Sequence, residues 1–98
     1  MPAVARIGDE IDTGHACDTT ALIGEGSTDV FCNEIGVARQ GDDIAPHTIL
    51  VGIVCVPHSA EVNEGSPDVF VNGIPLARLG DSADQGSITE GSPNVFAN

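Results

Sequence analysis

The sequence predicts an all-β protein, a small pseudo-threefold body of short β-hairpins, and three observations carry that prediction. An eighteen-residue pattern is written twice in full, as EGSTDVFCNEIGVARQGD over Glu25–Asp42 and EGSPDVFVNGIPLARLGD over Glu64–Asp81. A third copy is split across the ends: EGSPNVFAN, residues 90–98, supplies its first nine residues and MPAVARIGD, residues 1–9, its last nine. The rare residues keep this register, since all three basic residues (Arg6, Arg39, Arg78) share one repeat position and all three phenylalanines (Phe31, Phe70, Phe96) share another. Repetition of this kind marks stacked or closed supersecondary units. A closed ring of three units would bring Asn98 beside Met1.

Taken in order, the chain reads as one domain, residues 1–98, of units 25–42, 64–81 and 90–98 joined to 1–9. Connectors 10–24, 43–63 and 82–89 separate them. Within a unit, DVFVNGIPLAR has two short apolar stretches around Asn72-Gly73, a pair that tolerates the positive φ angles of a type I′ hairpin turn. Pro75 makes the second strand short or irregular. EGSP and the GD after each Arg are turn signals. No segment carries a sustained helical period with caps, so helix is expected to be minor. Constant units with connectors of unequal length suggest a rigid scaffold that displays its loops, the expected tip, at one end.

Composition excludes several classes of function. Fifteen acidic residues against three basic ones give a formal charge of −12, which repels a phosphate backbone, so no nucleic acid is expected as partner. A hydrophobic fraction of 41%, in short alternating runs, argues against disorder. No apolar run reaches the length of a membrane helix, and the start MPAVARIGDEID has neither a basic n-region nor an apolar h-region. The chain is therefore expected to be made in the cytoplasm without a signal peptide. Three cysteines cannot all pair within one chain, which leaves at least one thiol free or bound to metal.

The connectors hold the chemistry. His15 lies in the first, His47 and His58 in the second, and Cys55 stands three residues before His58 in CVPH. Three imidazoles and one thiolate make a complete tetrahedral set for zinc, with iron also possible, and leave no position for a catalytic water. The expected ligands are His15, His47, Cys55 and His58. Cys17, two residues from His15, is the rival sulfur, and Cys32 reads as a small buried hydrophobe. Each Arg has an Asp three residues on, which reads as a structural ion pair. The Phe triplet reads first as core. A face covered by a partner is its alternative.

These residues carry a resemblance. AVARIGD, GVARQGD and PLARLGD resemble the Pro-Ala-Ala-Arg signature with its GD tail, and EGSPDVFVNG resembles the GSPNVFING segment of PAAR-repeat proteins. No copy spells the signature in full. The resemblance implies a conical β protein without enzymatic activity that caps a trimeric β-helical spike (VgrG-like or a phage central spike), one copy per trimer. It would sharpen that spike, at the tip of a type VI secretion or contractile phage machine, for transient contact with a target membrane. It also implies a metal, usually zinc, held near the point by three His and one Cys, with TGH at Thr13–His15 and CVPH as the matching segments. Many relatives add a toxin domain, for which this sequence has no room. For the covered base we expect Val30, Val69 and Val95, the neighbouring Phe pointing inward. The alternative function is a small zinc hydrolase using the histidines and an open water position.

Overall fold

A computed structural model describes every residue from Met1 to Asn98, and it contains strands, bridges and turns with no helix. Ten short strands follow in order: β1 (Glu10–Asp12), β2 (Thr20–Leu22), β3 (Phe31–Cys32), β4 (Ile35–Gly36), β5 (His47–Val51), β6 (Val54–His58), β7 (Phe70–Val71), β8 (Ile74–Pro75), β9 (Ser82–Ala83) and β10 (Gly86–Ile88). Strands β2-β1-β10-β9 form one antiparallel sheet, while β3-β4, β5-β6 and β7-β8 are separate hairpins. The body is elongated, 41 × 23 × 21 Å. The unit hairpins turn as their sequence requires: Asn72 and Gly73 have φ of 56° and 75°, and Asn33 and Glu34 have 55° and 66°. Both central residues of a type I′ turn need positive φ, so Glu34 bears a strain that Gly73 avoids.

The three copies close on one another. Bridges join Arg6 to Val37, Arg39 to Leu76 and Arg78 to Val4, so each unit pairs its Arg strand with the next and the third returns to the first. At the centre, Ala5 donates its N–H to Ala77 O, Ala77 to Ala38 O and Ala38 to Ala5 O, at 3.0, 2.9 and 2.9 Å. All three alanines are fully buried. Three backbones meet here with room for a methyl group and nothing larger, which explains why the residue before each Arg is alanine. The chain ends complete the ring: Ala3 bridges Phe96, and Ala97 N donates to Pro2 O at 3.0 Å.

The core is built of triads that repeat this symmetry. The larger cluster consists of Ala5, Ala38 and Ala77, then Ile11, Ile44 and Ala83, then Ile23, Val62 and Ile88. The first of the latter two sets sits two residues after the GD turn, and the second sits two residues before the EGS of each copy. Ile23, Val62 and Ile88 all donate their N–H to the turn aspartate's carbonyl, on Asp9, Asp42 and Asp81 respectively. A second cluster holds Val4, Val37 and Leu76 with Cys32 and Val71, so Cys32 is buried as a small hydrophobe.

The polar residues of the repeat act on backbone. Each Arg donates through Nε and Nη2 to both carboxylate oxygens of the Asp three residues on, at 2.8–3.0 Å, in all three units. That Asp also accepts the Arg backbone N–H, so the pair fixes the GD turn. Such bidentate, partly buried pairs have the geometry that makes an ion pair worth more than an exposed one. In EGS, the Glu carboxylate accepts a connector N–H (Glu25 from Asp43, Glu64 from Ser82, Glu90 from Glu10), and the Ser Oγ accepts the N–H three residues later. The glycine between them is needed for space. A Cβ on Gly65 would stand 2.9 Å from Leu76 O and 2.8 Å from Pro75 Cβ.

One expectation about apolar residues is corrected. The phenylalanines point outward, with Phe31, Phe70 and Phe96 59%, 56% and 50% exposed. Strand alternation is the reason: the next residue of each copy, Cys32, Val71 or Ala97, turns into the smaller cluster, which sends Phe to the other face. Of the valines expected on a covered face, Val30 and Val95 are partly exposed beside the phenylalanines, whereas Val69 packs against the core.

Candidate metal centre

His15, His47, His58 and Asp84 converge from three connectors. His15 follows the Gly14 turn of the first connector. His47 opens β5 and His58 closes β6, so they form the last cross-strand pair of one hairpin and share a face. Asp84 stands at the β9–β10 turn with φ of 54°, a left-handed conformation that Asp tolerates better than most residues. Its position is fixed by backbone: Asn63 Nδ2 donates to Asp84 O at 2.8 Å, and Gln85 N donates to Thr13 O at 3.0 Å. A side chain at Gly86 would collide with the carbonyl of Asp12, so glycine lets this turn lie against β1.

The four side chains offer ligand atoms that all lie within 4.8 Å of one another. Asp84 Oδ2 is 2.8 Å from His15 Nε2 and 2.7 Å from His47 Nε2, while Oδ1 is 3.1 Å from His58 Nε2. The imidazole centroids form a nearly equilateral triangle with sides of 5.0, 5.1 and 5.3 Å. The Asp84 side chain is almost wholly buried. Burial pushes its carboxyl up, but the hydrogen bonds to His58, His15 and His47 together outweigh this and hold it below the ordinary carboxylate range.

The opposite ring nitrogens decide what the cluster can do. His15 Nδ1 is 3.0 Å from Ala16 O and His47 Nδ1 is 2.9 Å from Ala45 O. A carbonyl only accepts, so Nδ1 carries the proton, and once the ring has no second proton Nε2 presents its lone pair to a ligand. Both lone pairs aim at the same carboxylate oxygen. That arrangement calls for positive charge between the donors, and three charged imidazoliums about 5 Å apart would repel one another. One cation bound by three Nε2 atoms and a carboxylate oxygen satisfies every group at once, and backbone carbonyls orienting the far nitrogens are the usual outer support of metal-binding histidines. The donor set fits a metal.

The expected cysteine ligand does not stand in this cluster. Cys55 is joined to Cys17 in a disulfide, with Cα atoms 5.8 Å apart. The reading of CVPH as one turn fails because the segment is strand β6, where residues three apart face opposite sides. His58 faces the cluster and Cys55 faces away, toward Cys17 of the first connector. The fourth group is Asp84, which the spacing argument missed. A signal was available: Asp84 is the one His, Cys, Asp or Glu in the connector 82–89, and each of the other connectors contributes to the site.

The four side chains of the cluster do not themselves line a groove. One groove runs between Gln40–Gly41 and Glu61–Asn63, another between Gly24–Glu25 and Asp43–Ala45, and neither includes a histidine or Asp84. Comparison with known families matches the PAAR motif over residues 13–86 and again over 55–98. No curated protein matches the chain.

Proposed function

The chain belongs to the PAAR-motif family, and from that membership we propose that it is a non-catalytic tip seated, one copy per trimer, on the end of a trimeric β-helical spike of a contractile phage tail or type VI secretion machine. The family carries a structural spike-tip role in contractile injection systems. The observation that supports this placement best is the cyclic alanine triad with its three ring-closing bridges. A trimer end presents one patch three times, and a monomer with three near-equivalent units can meet each patch alike. Phe31, Phe70 and Phe96, exposed at equivalent positions, with Val30 and Val95 beside them and Val69 at the edge of the core, are the side chains proposed to be covered there.

His15, His47, His58 and Asp84 are proposed to hold a zinc ion, with iron accepted by the same borderline nitrogen and oxygen donors. The metal supplies a structural staple. This chain's residues do the rest: Ala16 O and Ala45 O hold the imidazoles in the ligating tautomer, and Asn63 holds the Asp84 turn. A hydrolase would need a substrate cleft that opens on the metal position, and neither groove is lined by a histidine or by Asp84, although Pro46 and Ser59 of one adjoin His47 and His58 in the chain.

The test is co-purification with a trimeric β-helical spike protein from the same source, and native mass measurement of the complex. One chain per trimer is expected, and replacing the three phenylalanines by Asp should abolish binding without loss of metal. A ratio of three to three would refute the placement.

A further inference from the structure

The β5–β6 hairpin does something the metal site does not require. A link between His47 and His58 could be a tight turn, yet the chain extends five residues out and five back. At about 3.3 Å per residue this carries Val51 and Val54 roughly 13 Å along the hairpin from the histidine pair. The far end is bare. Ile53 is 97% exposed, Val51 59%, Val54 57% and Leu50 46%.

Three features say what kind of surface it meets. The tip is apolar on both faces, because Leu50 and Val51 are adjacent on one strand and so face opposite ways. Docking on a protein surface would leave one of those faces in water. From Ile44 to Ala60 the chain has no Asp, Glu, Lys or Arg, although it carries fifteen acidic and three basic residues elsewhere. The four aliphatic side chains present on the order of 400 Å², an ordinary patch and about half of what each partner buries in a stable protein complex. The strands below the turn, by contrast, are anchored as far out as the Leu50–Cys55 pair: Cys55 is bonded to Cys17, Leu50 N donates to Ala16 O at 2.7 Å, and Asp18 accepts from Thr48 N at 2.7 Å.

We propose that the turn of this hairpin, Leu50, Val51, Ile53 and Val54, is a wedge that enters the acyl region of a lipid bilayer, with the histidine cluster bracing the hairpin's base and the disulfide bracing it one pair below the tip. A medium apolar on every side suits an element apolar on both faces, and the lack of charge removes the main penalty for entry. The inference rests on the spike-tip reading for the hairpin being the leading end. Its chemistry does not, and vesicle binding needs no spike, so the two can fail separately.

The experiment uses the full chain and phosphatidylcholine vesicles. The sequence has no Trp, so Ile53→Trp serves as a single fluorescent probe; its emission should shift to the blue with vesicles and be quenched by lipids brominated along the acyl chains. Flotation of the unlabelled protein should show binding that the double substitution Val51→Asp, Ile53→Asp reduces at least tenfold, with metal content and melting temperature unchanged. Substituting all three phenylalanines by Ser should leave vesicle binding intact. Adding phosphatidylglycerol at low salt should weaken binding, since the protein's charge is −12. Absence of flotation or quenching overturns the proposal. So does binding that survives the double Asp substitution, or that is lost with the phenylalanines. A self-association removed by the double Asp substitution, without any vesicle binding, would make the tip an interface between copies and refute the lipid assignment.

Discussion

Replacing Asp84 by Asn separates an aspartate-completed metal site from the thiolate site that the sequence suggests. The amide keeps the shape of the side chain and removes its charge. Asp84 is buried and faces three Nε2 atoms at 2.7–3.1 Å, so the loss leaves a buried cluster without its only anion. Breaking a buried charged set by removing one partner costs about 3–5 kcal/mol. In a domain of this size 1 kcal/mol moves the melting temperature by about 4–8 °C, so even the lower figure lowers it by about 12–24 °C. The cost should appear only where metal is bound.

The assay is therefore a cycle: melting temperature and metal content of the wild type and of Asp84→Asn, each with and without a strong chelator. The wild type should lose metal and melt far lower with chelator. The variant should carry less metal and respond little, because the binding free energy that chelator removes is already diminished. Cys55→Ala belongs in the same series and should keep full metal, since Cys55 faces away from the cluster. Full metal in Asp84→Asn together with loss in Cys55→Ala would refute the assignment and return the fourth ligand to sulfur.

Three further outcomes follow from the scaffold. Breaking the disulfide by Cys17→Ala should destabilise the fold by at most about 4 kcal/mol in the chain-entropy model for the 38-residue separation, with metal retained; an unchanged melting temperature would show that the link constrains nothing. Ala38→Val should cost about 1–3 kcal/mol because the three alanine backbones leave no space for two more methyl groups, whereas Ala45→Val, on the partly exposed rim of a groove, should cost little; equal effects at both sites would refute the tight triad. Hydrogen bonds from Thr48 N and Oγ1 hold the Asp18 carboxyl below its ordinary range. A depressed folded value means the link stabilises above the unfolded value and is lost as pH falls through the folded one. Protection of the Thr48 amide against hydrogen exchange should therefore drop in acid, beyond the ordinary pH trend of exchange, and Asp18→Asn should abolish that extra dependence.

Much of the scaffold is legible in the sequence because each conserved feature of the repeat answers a local demand. Arg and Asp three apart make the same bidentate pair three times, Asn-Gly makes the turn, and the glycine of EGS leaves room for a neighbouring backbone. The phenylalanines mislead because burial is decided by which face of a two-residue strand meets the core. A strand of two residues gives no alternation long enough to read. Cys55 misleads for a related reason: spacing specifies a ligand pair only once the backbone is known, and a Cys three residues before a His is suitable on a turn but wrong on a strand. The alanine triad was invisible because a small side chain is chosen there for the backbone contact it permits, and backbone contact between distant segments leaves no mark of its own in one sequence.

The site shows why the connectors must differ while the units agree. A closed threefold body offers each feature three times, so symmetry alone can supply three equivalent donors around its axis, whereas a tetrahedral metal needs four. Here the fourth comes from broken symmetry: the longest connector contributes both ends of a hairpin, His47 and His58, and the other two contribute one group each, His15 and Asp84. That hairpin has to leave the cluster and return to it, and its five-residue strands carry the turn further out than the return alone requires. In the proposed site a carboxylate fills the fourth position, so no sulfur is needed for ligation, and Cys17 and Cys55 are joined on the hairpin's other face. The hairpin is thereby held at two points on opposite faces, by imidazoles on one side and by a covalent bond on the other. A single attachment would let a two-stranded ribbon pivot, since an isolated hairpin is marginal in water. Two attachments on opposite faces resist bending in both directions. This predicts that chelation and reduction each loosen the Leu50–Val54 segment, and that hydrogen exchange within β5 and β6 accelerates more when both are applied than the sum of the two separate effects. Simple additivity would mean that the faces are not braced against each other.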